Sequence, residues 1–111
     1  TPPGKGPPPH THLHSTEVFR VIRGTYRFTC GEDVFDAPPG TVVTLPPGIR
    51  HGWINISDEP GQMFGIVTPG GFEQMFIDIE REGAVTPDAI TAIQARYGVI
   101  NDATEALRGN S

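Results

Sequence analysis

The stretch GKGPPPHTHLHSTEVFRVIRG, residues 4–24, contains the pattern from which the fold is predicted. His10 and His12 are two residues apart, and on an extended strand the side chains of residues i and i+2 point to the same side. Glu17 begins the next extended run, in which it shares one face with Phe19 and Val21. The stretch therefore predicts two imidazoles and one carboxylate on the inner side of neighbouring strands.

A second stretch, GTVVTLPPGIRHGWIN, residues 40–55, supplies a third imidazole from His51. A carboxylate on an apolar face costs several kcal/mol to desolvate unless it is paired or bound to a metal. A closed sheet can bring residues that are distant in sequence to one point. We therefore expect His10, His12, Glu17 and His51 to form a cage for a cation.

The composition predicts one all-β domain with short helices at its end. The chain has 111 residues, enough for one core that needs neither a disulfide nor a structural metal. Its 14 glycines and 12 prolines separate short runs rich in β-branched and aromatic residues. Residues 1–9 are predicted to form an extended lead-in or sheet edge, because their prolines cannot donate to a sheet ladder. Short runs of this kind, separated by glycine- and proline-rich turns, are typical of a small barrel or sandwich.

Charge and cysteine content exclude several classes of function. The net charge is −5, and the eight lysines and arginines are scattered, so binding to nucleic acid is not expected. No apolar run approaches the roughly 20 residues that cross a bilayer, so no membrane association is expected. Cys30 is the only cysteine, which excludes an internal disulfide and a thiolate-rich metal site. A reducing cytoplasm is the expected location.

Two helices are predicted after residue 71. Phe72, Met75, Phe76 and Ile79 fall at helical spacing. For the second helix the sequence offers signals at both ends: Thr86 as N-cap, Pro87 at the first position, Asp88 in the first turn, and Gly98 just past the end. Its buried stripe is expected to consist of Ile90, Ile93 and Tyr97. Residues 99–111 are mostly polar or small and are expected to fray.

The two histidine stretches together resemble the two sequence motifs of the cupin superfamily. The first motif reads Gly4-x5-His10-x-His12-x4-Glu17-x6-Gly24, and the second reads Gly40-x5-Pro46-x-Gly48-x2-His51-x3-Asn55. The resemblance implies a double-stranded β-helix, or jelly-roll barrel, over about residues 4–69, with one or two short helices over about 71–98, all in a single domain 1–111. More loosely, residues 67–73 and 95–98 resemble the quercetin-dioxygenase-like cupins with a single domain.

By this resemblance, His10, His12, Glu17 and His51 would bind one divalent first-row transition metal ion. Imidazole and carboxylate ligands suit Fe, Ni, Mn, Co, Cu or Zn. A competing register uses Gly6, His12 and His14, but it leaves too few residues before Glu17, so we favour the first register. His14 then either orients a ligand, serves as a spare ligand, or lies exposed at the rim, and the rim is the favoured interpretation. The resemblance also implies turn roles for the motif glycines and a structural role for Asn55.

The beginning of the chain departs from the family pattern, because complete members usually carry one or two strands before the first motif. Either the sequence is a piece of a longer chain, or a strand of a partner closes the barrel. An open sheet edge invites association, so we expect a homodimer.

The resemblance favours an oxygenase that acts on a small enolisable or aromatic substrate. In that reaction Glu17 would act as the catalytic base, with its pKa raised by the apolar neighbours Phe19 and Val21. The alternatives are a non-oxidative metal-dependent isomerase, lyase or cyclase, and a sensory module that binds a metal or small ligand without turnover. Aromatic residues are expected to line the substrate pocket, although core packing is the alternative for each. They are Phe19, Tyr26, Phe28, Trp53, Phe64, Phe72 and Phe76.

Overall fold

A computed structural model describes residues 1–71 and 73–101. These residues form eight strands and two helices. The elements are β1 His10–His12, β2 Thr16–Arg23, β3 Tyr26–Cys30, β4 Asp33–Ala37, β5 Val42–Leu45, β6 His51–Asn55, β7 Gln62–Thr68, α1 Glu73–Arg81, α2 Pro87–Arg96 and β8 Val99–Asn101. No helix in this part of the chain is long and apolar enough to cross a membrane.

The strands form two antiparallel sheets, and the buried core residues come from both. One sheet has the order β4-β3-β6-β1-β8, and the other has the order β5-β2-β7. The core cluster consists of Val21, Tyr26, Phe28, Ala37, Val43 and Leu45. The architecture confirms the predicted fold class, a double-stranded β-helix with two short helices.

Strand β2 has the predicted alternation of faces. Glu17 and Val21 are buried on the inner side, whereas Arg20 and Ile22 are exposed on the outer side. Glycine ends the strand at Gly24, where φ is +78°, a backbone conformation that residues with a side chain rarely adopt. The alternation carries the carboxylate of Glu17 into the interior.

The proline-rich start of the chain, residues 1–9, forms a strap that lies across β6 and contains a turn in which the Lys5 N–H donates to the carbonyl of Pro2. The Gly4 N–H donates to the carbonyl of Asn55, and the Asn55 N–H donates to the carbonyl of Lys5. Gly6 lies so close to β6 that a Cβ atom placed on it would be 1.8 Å from the carbonyl oxygen of Trp53. The predicted lead-in thus packs against the strand that carries His51, but it is not extended throughout, because residues 2–5 form a turn.

Asn55 has the structural role that the resemblance implied. Its side chain is fully buried, and its amide donates to the carbonyls of Thr1 and Glu59. Its Oδ1 accepts from both the backbone N–H and the hydroxyl of Ser57. These bonds fix the turn between β6 and β7.

The C-terminal part of the chain differs in two respects from the sequence prediction. Thr86 caps α2 by accepting from the Ala89 N–H, as predicted. Of the expected buried stripe, Ile93 is buried, whereas Ile90 and Tyr97 are only half-buried. Residues 99–101, however, form strand β8, which pairs along the whole of β1, so the expectation that they fray is wrong. These residues stay paired because Val99 packs with Met75 and Ile93 in a second buried cluster, and fraying would expose that apolar surface to water. Residues 102–111 lie outside the described residues.

Candidate metal centre

The four predicted ligands meet at one point inside the barrel. His10 and His12 project from β1, Glu17 from β2 and His51 from the first position of β6. His10 pairs directly with His51 across the two strands. One ligand atom from each of the four residues lies within 4.8 Å of the others. The residues from both motif stretches thus form a single cluster.

Backbone carbonyls set the tautomers of two of the histidines. The Nδ1 atom of His10 is 2.9 Å from the carbonyl oxygen of Pro8, and Nδ1 of His51 is 3.1 Å from that of Ile49. Because a carbonyl oxygen only accepts, both Nδ1 atoms carry the proton and donate. In a neutral imidazole the Nε2 lone pair is then available for a cation.

Glu17 lies at the centre of the cluster and is nearly inaccessible to solvent. Glu17 is 4% exposed, and the neighbouring His51 is 1% exposed. Its Oε1 is 2.5 Å from Nε2 of His12, and its Oε2 is 3.8 Å from Nε2 of His51. Among the described residues, neither Oε2 of Glu17 nor Nε2 of His51 has a hydrogen-bond partner. A buried carboxylate oxygen and a buried ring nitrogen thus face each other without a hydrogen bond.

The cluster borders a cavity of about 360 Å³. His10, His12 and Glu17 line it, whereas His51 is not among the lining residues and is almost completely buried. The remaining walls are mostly apolar, and no lysine or arginine is among the lining residues that the structure describes. They are Pro7, Pro8, Phe19, Trp53, Val67, Met75, Phe76, Gln94, Val99 and Asn101.

The sequence profile described as Cupin domain, Cupin_2, matches residues 1–67, which include all four clustered residues. The chain belongs to the cupin family. No curated protein sequence matches this cupin significantly.

Solved structures with the same fold support the assignment. A Klebsiella pneumoniae protein described as uncharacterized, with a double-stranded beta-helix domain, is 30% identical with a TM-score of 0.58, and the match covers 64% of this chain and 63% of that one. A Cupin 2 conserved barrel domain protein from Salinispora arenicola is 27% identical with a TM-score of 0.57, covering 69% and 64%. A putative sugar phosphate isomerase from Acidithiobacillus ferrooxidans is 26% identical with a TM-score of 0.55, covering 60% and 44%. This cupin therefore spans less than two thirds of the length of each of these structures.

Cupin domains commonly bind a metal, and the cluster of this cupin fits one. The donor set of three imidazoles and one carboxylate suits a divalent first-row ion. The facing atoms Oε2 of Glu17 and Nε2 of His51 lack hydrogen-bond partners and are both ligand types for such an ion.

The surroundings shift the pKa values of three of the clustered residues. Burial lowers the pKa of His10 and of His51, because desolvation disfavours the charged imidazolium. For Glu17, burial acts to raise the pKa, but the hydrogen bond from His12 and the charges of the three histidines outweigh it and lower the pKa. The expectation of a raised pKa is therefore wrong, because the histidines, and not Phe19 and Val21, dominate the environment of the carboxylate.

The predicted aromatic pocket is found only in part. Phe19, Trp53 and Phe76 line the cavity, and the rings of Phe19 and Trp53 are 4.7 Å apart. Tyr26 and Phe28 are fully buried in the core instead, where Phe28 packs behind Phe19 and Trp53. The core alternative therefore applies to these two residues.

Two further residues of the predicted pocket are not at the cavity or are not described. Phe64 is 59% exposed on the outer face, opposite Arg20, so its expected place in the pocket is corrected. The reason is the register of β7, which places Gly65 and not Phe64 opposite the inward-facing Phe19. Phe72 lies outside the described residues.

Several cavity residues escaped the sequence analysis. Val67 could have been found by its pairing with Glu17, but only the strand register reveals that pairing. Gln94 and Asn101 carried no signal, because a polar residue near the end of a chain is ordinarily read as solvated. His14 is exposed and does not belong to the cluster, in agreement with the rim interpretation.

Proposed function

We propose that this cupin is a metal-dependent oxygenase of the quercetin-dioxygenase-like group that acts on a small enolisable or aromatic substrate. The observation that carries the proposal is the convergence of three imidazoles and a buried carboxylate on an apolar, aromatic cavity. Four protein ligands on an ion that prefers six would leave two positions open to substrate. A purely structural site would be closed instead.

His10, His12, Glu17 and His51 would hold the ion. When bound, such an ion supplies Lewis acidity toward a chelating oxygen of the substrate and, if it is redox-active, an electron-transfer centre. The backbone carbonyls of Pro8 and Ile49 keep Nε2 of His10 and of His51 available to the ion.

Glu17 is the residue that we propose as the catalytic base. Its carboxylate is ionised at neutral pH, as an ordinary glutamate is, so it can accept a proton; the support for this role is its position in the cavity and not its lowered pKa. It lines the cavity beside Phe19, and its Oε2 makes no hydrogen bond within the described part of the chain. A substrate hydroxyl in the cavity would meet a proton acceptor that is already charged.

The aromatic walls favour a planar substrate. Phe19 and Trp53 form one wall, and Phe76 of α1 contributes to another. Lysine and arginine are absent from the described part of the lining, so an anionic group away from the ion would have no compensating charge there. This disfavours a substrate that carries a phosphate or carboxylate in addition to its chelating oxygens.

A second candidate is a non-oxidative isomerase, lyase or cyclase. The same proton acceptor, Glu17, favours it, and one solved cupin relative is described as a putative sugar phosphate isomerase. The cavity lining argues against a sugar phosphate as its substrate, so this candidate would act on an uncharged carbonyl compound. We also propose a cytoplasmic location and a homodimer, with a small molecule as the ligand.

The first test is elemental analysis of protein purified without added metal. Oxygen uptake with a flavonol is then followed in the Fe- and the Ni-loaded protein, with Glu17→Gln as the matched variant. Uptake with substrate loss, absent in Glu17→Gln, supports the oxygenase. Stoichiometric metal without oxygen uptake rejects it and leaves the non-oxidative enzyme or the binding module. Absence of metal under every loading rejects the metal centre.

A further inference from the structure

The cavity of this cupin is roofed by a part of the chain that the family profile does not match. The match ends at residue 67. Met75 and Phe76 of α1, Gln94 of α2, and Val99 and Asn101 of β8 nevertheless line the cavity. We call α1, α2 and β8 together the cap. The four clustered residues, which we call the ligand cluster, thus come from the matched region. A large part of the cavity wall comes from the cap instead.

Strand pairing fixes the cap relative to the ligand cluster. In β8, Asn101 pairs with His10 and Val99 pairs with His12. Residues directly opposite each other in an antiparallel pair lie on the same face of the sheet. Asn101 therefore lies on the same side of the sheet as the two histidines. The buried cluster of Met75, Ile93 and Val99 in turn ties both helices to β8.

Outside the ligand cluster, the polar side-chain groups among the described cavity residues are the carboxamides of Gln94 and Asn101 and the indole N–H of Trp53, which can only donate. A carboxamide is uncharged and offers both a hydrogen-bond acceptor and two donors. It satisfies a hydroxyl, carbonyl or amide group well, but it does not neutralise an anion. Both carboxamides belong to the cap.

We infer that Gln94 and Asn101 are specificity-determining residues, which select an uncharged ligand that carries a hydrogen-bonding group in addition to its metal-chelating oxygens. The inference rests on the proposed function in one respect, namely that the substrate chelates the ion held by the cluster. It goes further because it assigns the choice of substrate to the cap and not to the matched cupin domain.

Trp53 provides a readout that does not depend on turnover. It is the only tryptophan of the chain, and it lines the cavity. Its fluorescence is followed in the Zn-loaded protein during titration with catechol, 3,4-dihydroxybenzamide and 3,4-dihydroxybenzoate. These three probes share the chelating group and differ only in having no substituent, a neutral amide or a carboxylate. We expect the benzamide to bind roughly five- to ten-fold more tightly than catechol, the gain of one good hydrogen bond, and the benzoate to bind most weakly.

Two variants of Gln94 and one of Asn101 locate the effect. Gln94→Leu and Asn101→Leu are each expected to reduce the preference for the benzamide over catechol, with metal content and far-UV circular dichroism unchanged. Gln94→Lys is expected to make the benzoate the preferred probe, because it introduces a cation into the wall. Gln62→Leu, at an exposed glutamine outside the cavity lining, is the matched control and should leave the order unchanged.

The inference is overturned if the wild-type protein does not distinguish the three probes, or if the Gln94 and Asn101 variants keep the wild-type order. These outcomes are separate from the fate of the oxygenase proposal. A clear preference for the benzamide with no oxygen uptake rejects the oxygenase and supports the role of the cap. Oxygen uptake without any preference among the probes supports the oxygenase and rejects the role of the cap.

Discussion

Replacing Gly6 with alanine should destabilise the protein and open the cavity. A Cβ atom on Gly6 would be 1.8 Å from the carbonyl oxygen of Trp53 and 2.8 Å from its carbonyl carbon. Such approaches do not occur in folded proteins, so the strap must move away from β6. That movement weakens the two backbone hydrogen bonds that join the strap to Asn55.

The magnitude follows from these contacts. Overpacking costs about 1–3 kcal/mol, and each weakened backbone hydrogen bond adds up to about 1 kcal/mol. We therefore expect Gly6→Ala to lower the free energy of unfolding by roughly 2–4 kcal/mol, a large fraction of the roughly 5–15 kcal/mol of an ordinary domain. Because Pro7, Pro8 and Trp53 line the cavity, the fluorescence of Trp53 should change as well.

Urea unfolding, followed by circular dichroism and by Trp53 fluorescence, measures the loss. Gly70→Ala is the control, because an added Cβ at Gly70 meets no atom within 4 Å and its φ is not positive. The control should lie within about 0.5 kcal/mol of the wild type, as surface substitutions usually do. If Gly6→Ala is as stable as Gly70→Ala, the packing of the strap on β6 is wrong.

Three further predictions concern the ligand cluster. His51→Ala should weaken metal binding by more than 100-fold, because loss of a hydrogen bond that merely supports a ligand already costs roughly 10–100-fold. Circular dichroism should still show a folded barrel, and global unfolding of the variant would contradict the prediction. Glu17→Gln should retain part of the metal by elemental analysis but lose base-dependent turnover, and unchanged turnover would remove Glu17 from the reaction. The metal-free protein should lose stability as the pH falls below about 7. In the unfolded state the two histidines have their ordinary pKa near 6.5, whereas in the folded state the pKa values of His10 and His51 are lowered. The unfolded state therefore binds more protons on acidification, and unfolding becomes more favourable. Because the pKa of Glu17 is lowered in the folded state, its protonation should reduce the stability further below pH 4.5. Urea unfolding in EDTA at several pH values measures both losses. A stability that rises on acidification would refute the predicted direction for the histidines and for Glu17.

Much of the cluster could be predicted because strands have a fixed period. His10 and His12 share a face by their spacing alone, and a carboxylate between inward-facing residues needs a cationic or hydrogen-bonding partner. The prediction of its pKa failed because the apolar neighbours are adjacent in sequence, whereas the histidines are adjacent only in space. The sum of opposing electrostatic contributions depends on distances that no sequence pattern contains.

The cavity wall was less predictable. Aromatic residues in strands are equally suited to a core and to a binding site, and only the register of β7 against β2 placed Phe64 outside and Val67 inside. The role of residues 99–101 was missed because a three-residue strand has too few positions to show a period. Its stability comes from pairing with β1 and from the burial of Val99.

Local sequence patterns were sufficient to predict the all-β class, the glycine and proline turns, the two C-terminal helices and the four residues that cluster inside the barrel. These features follow from local backbone preferences and from side-chain periodicity, which act over a few residues. The tertiary structure was needed to find which aromatic residues face the cavity, that the cap contributes to its walls, and that Gln94 and Asn101 line it together with His10, His12 and Glu17. These features depend on strand register and on packing between segments far apart in the chain, where the burial of apolar surface decides among arrangements that are locally equivalent.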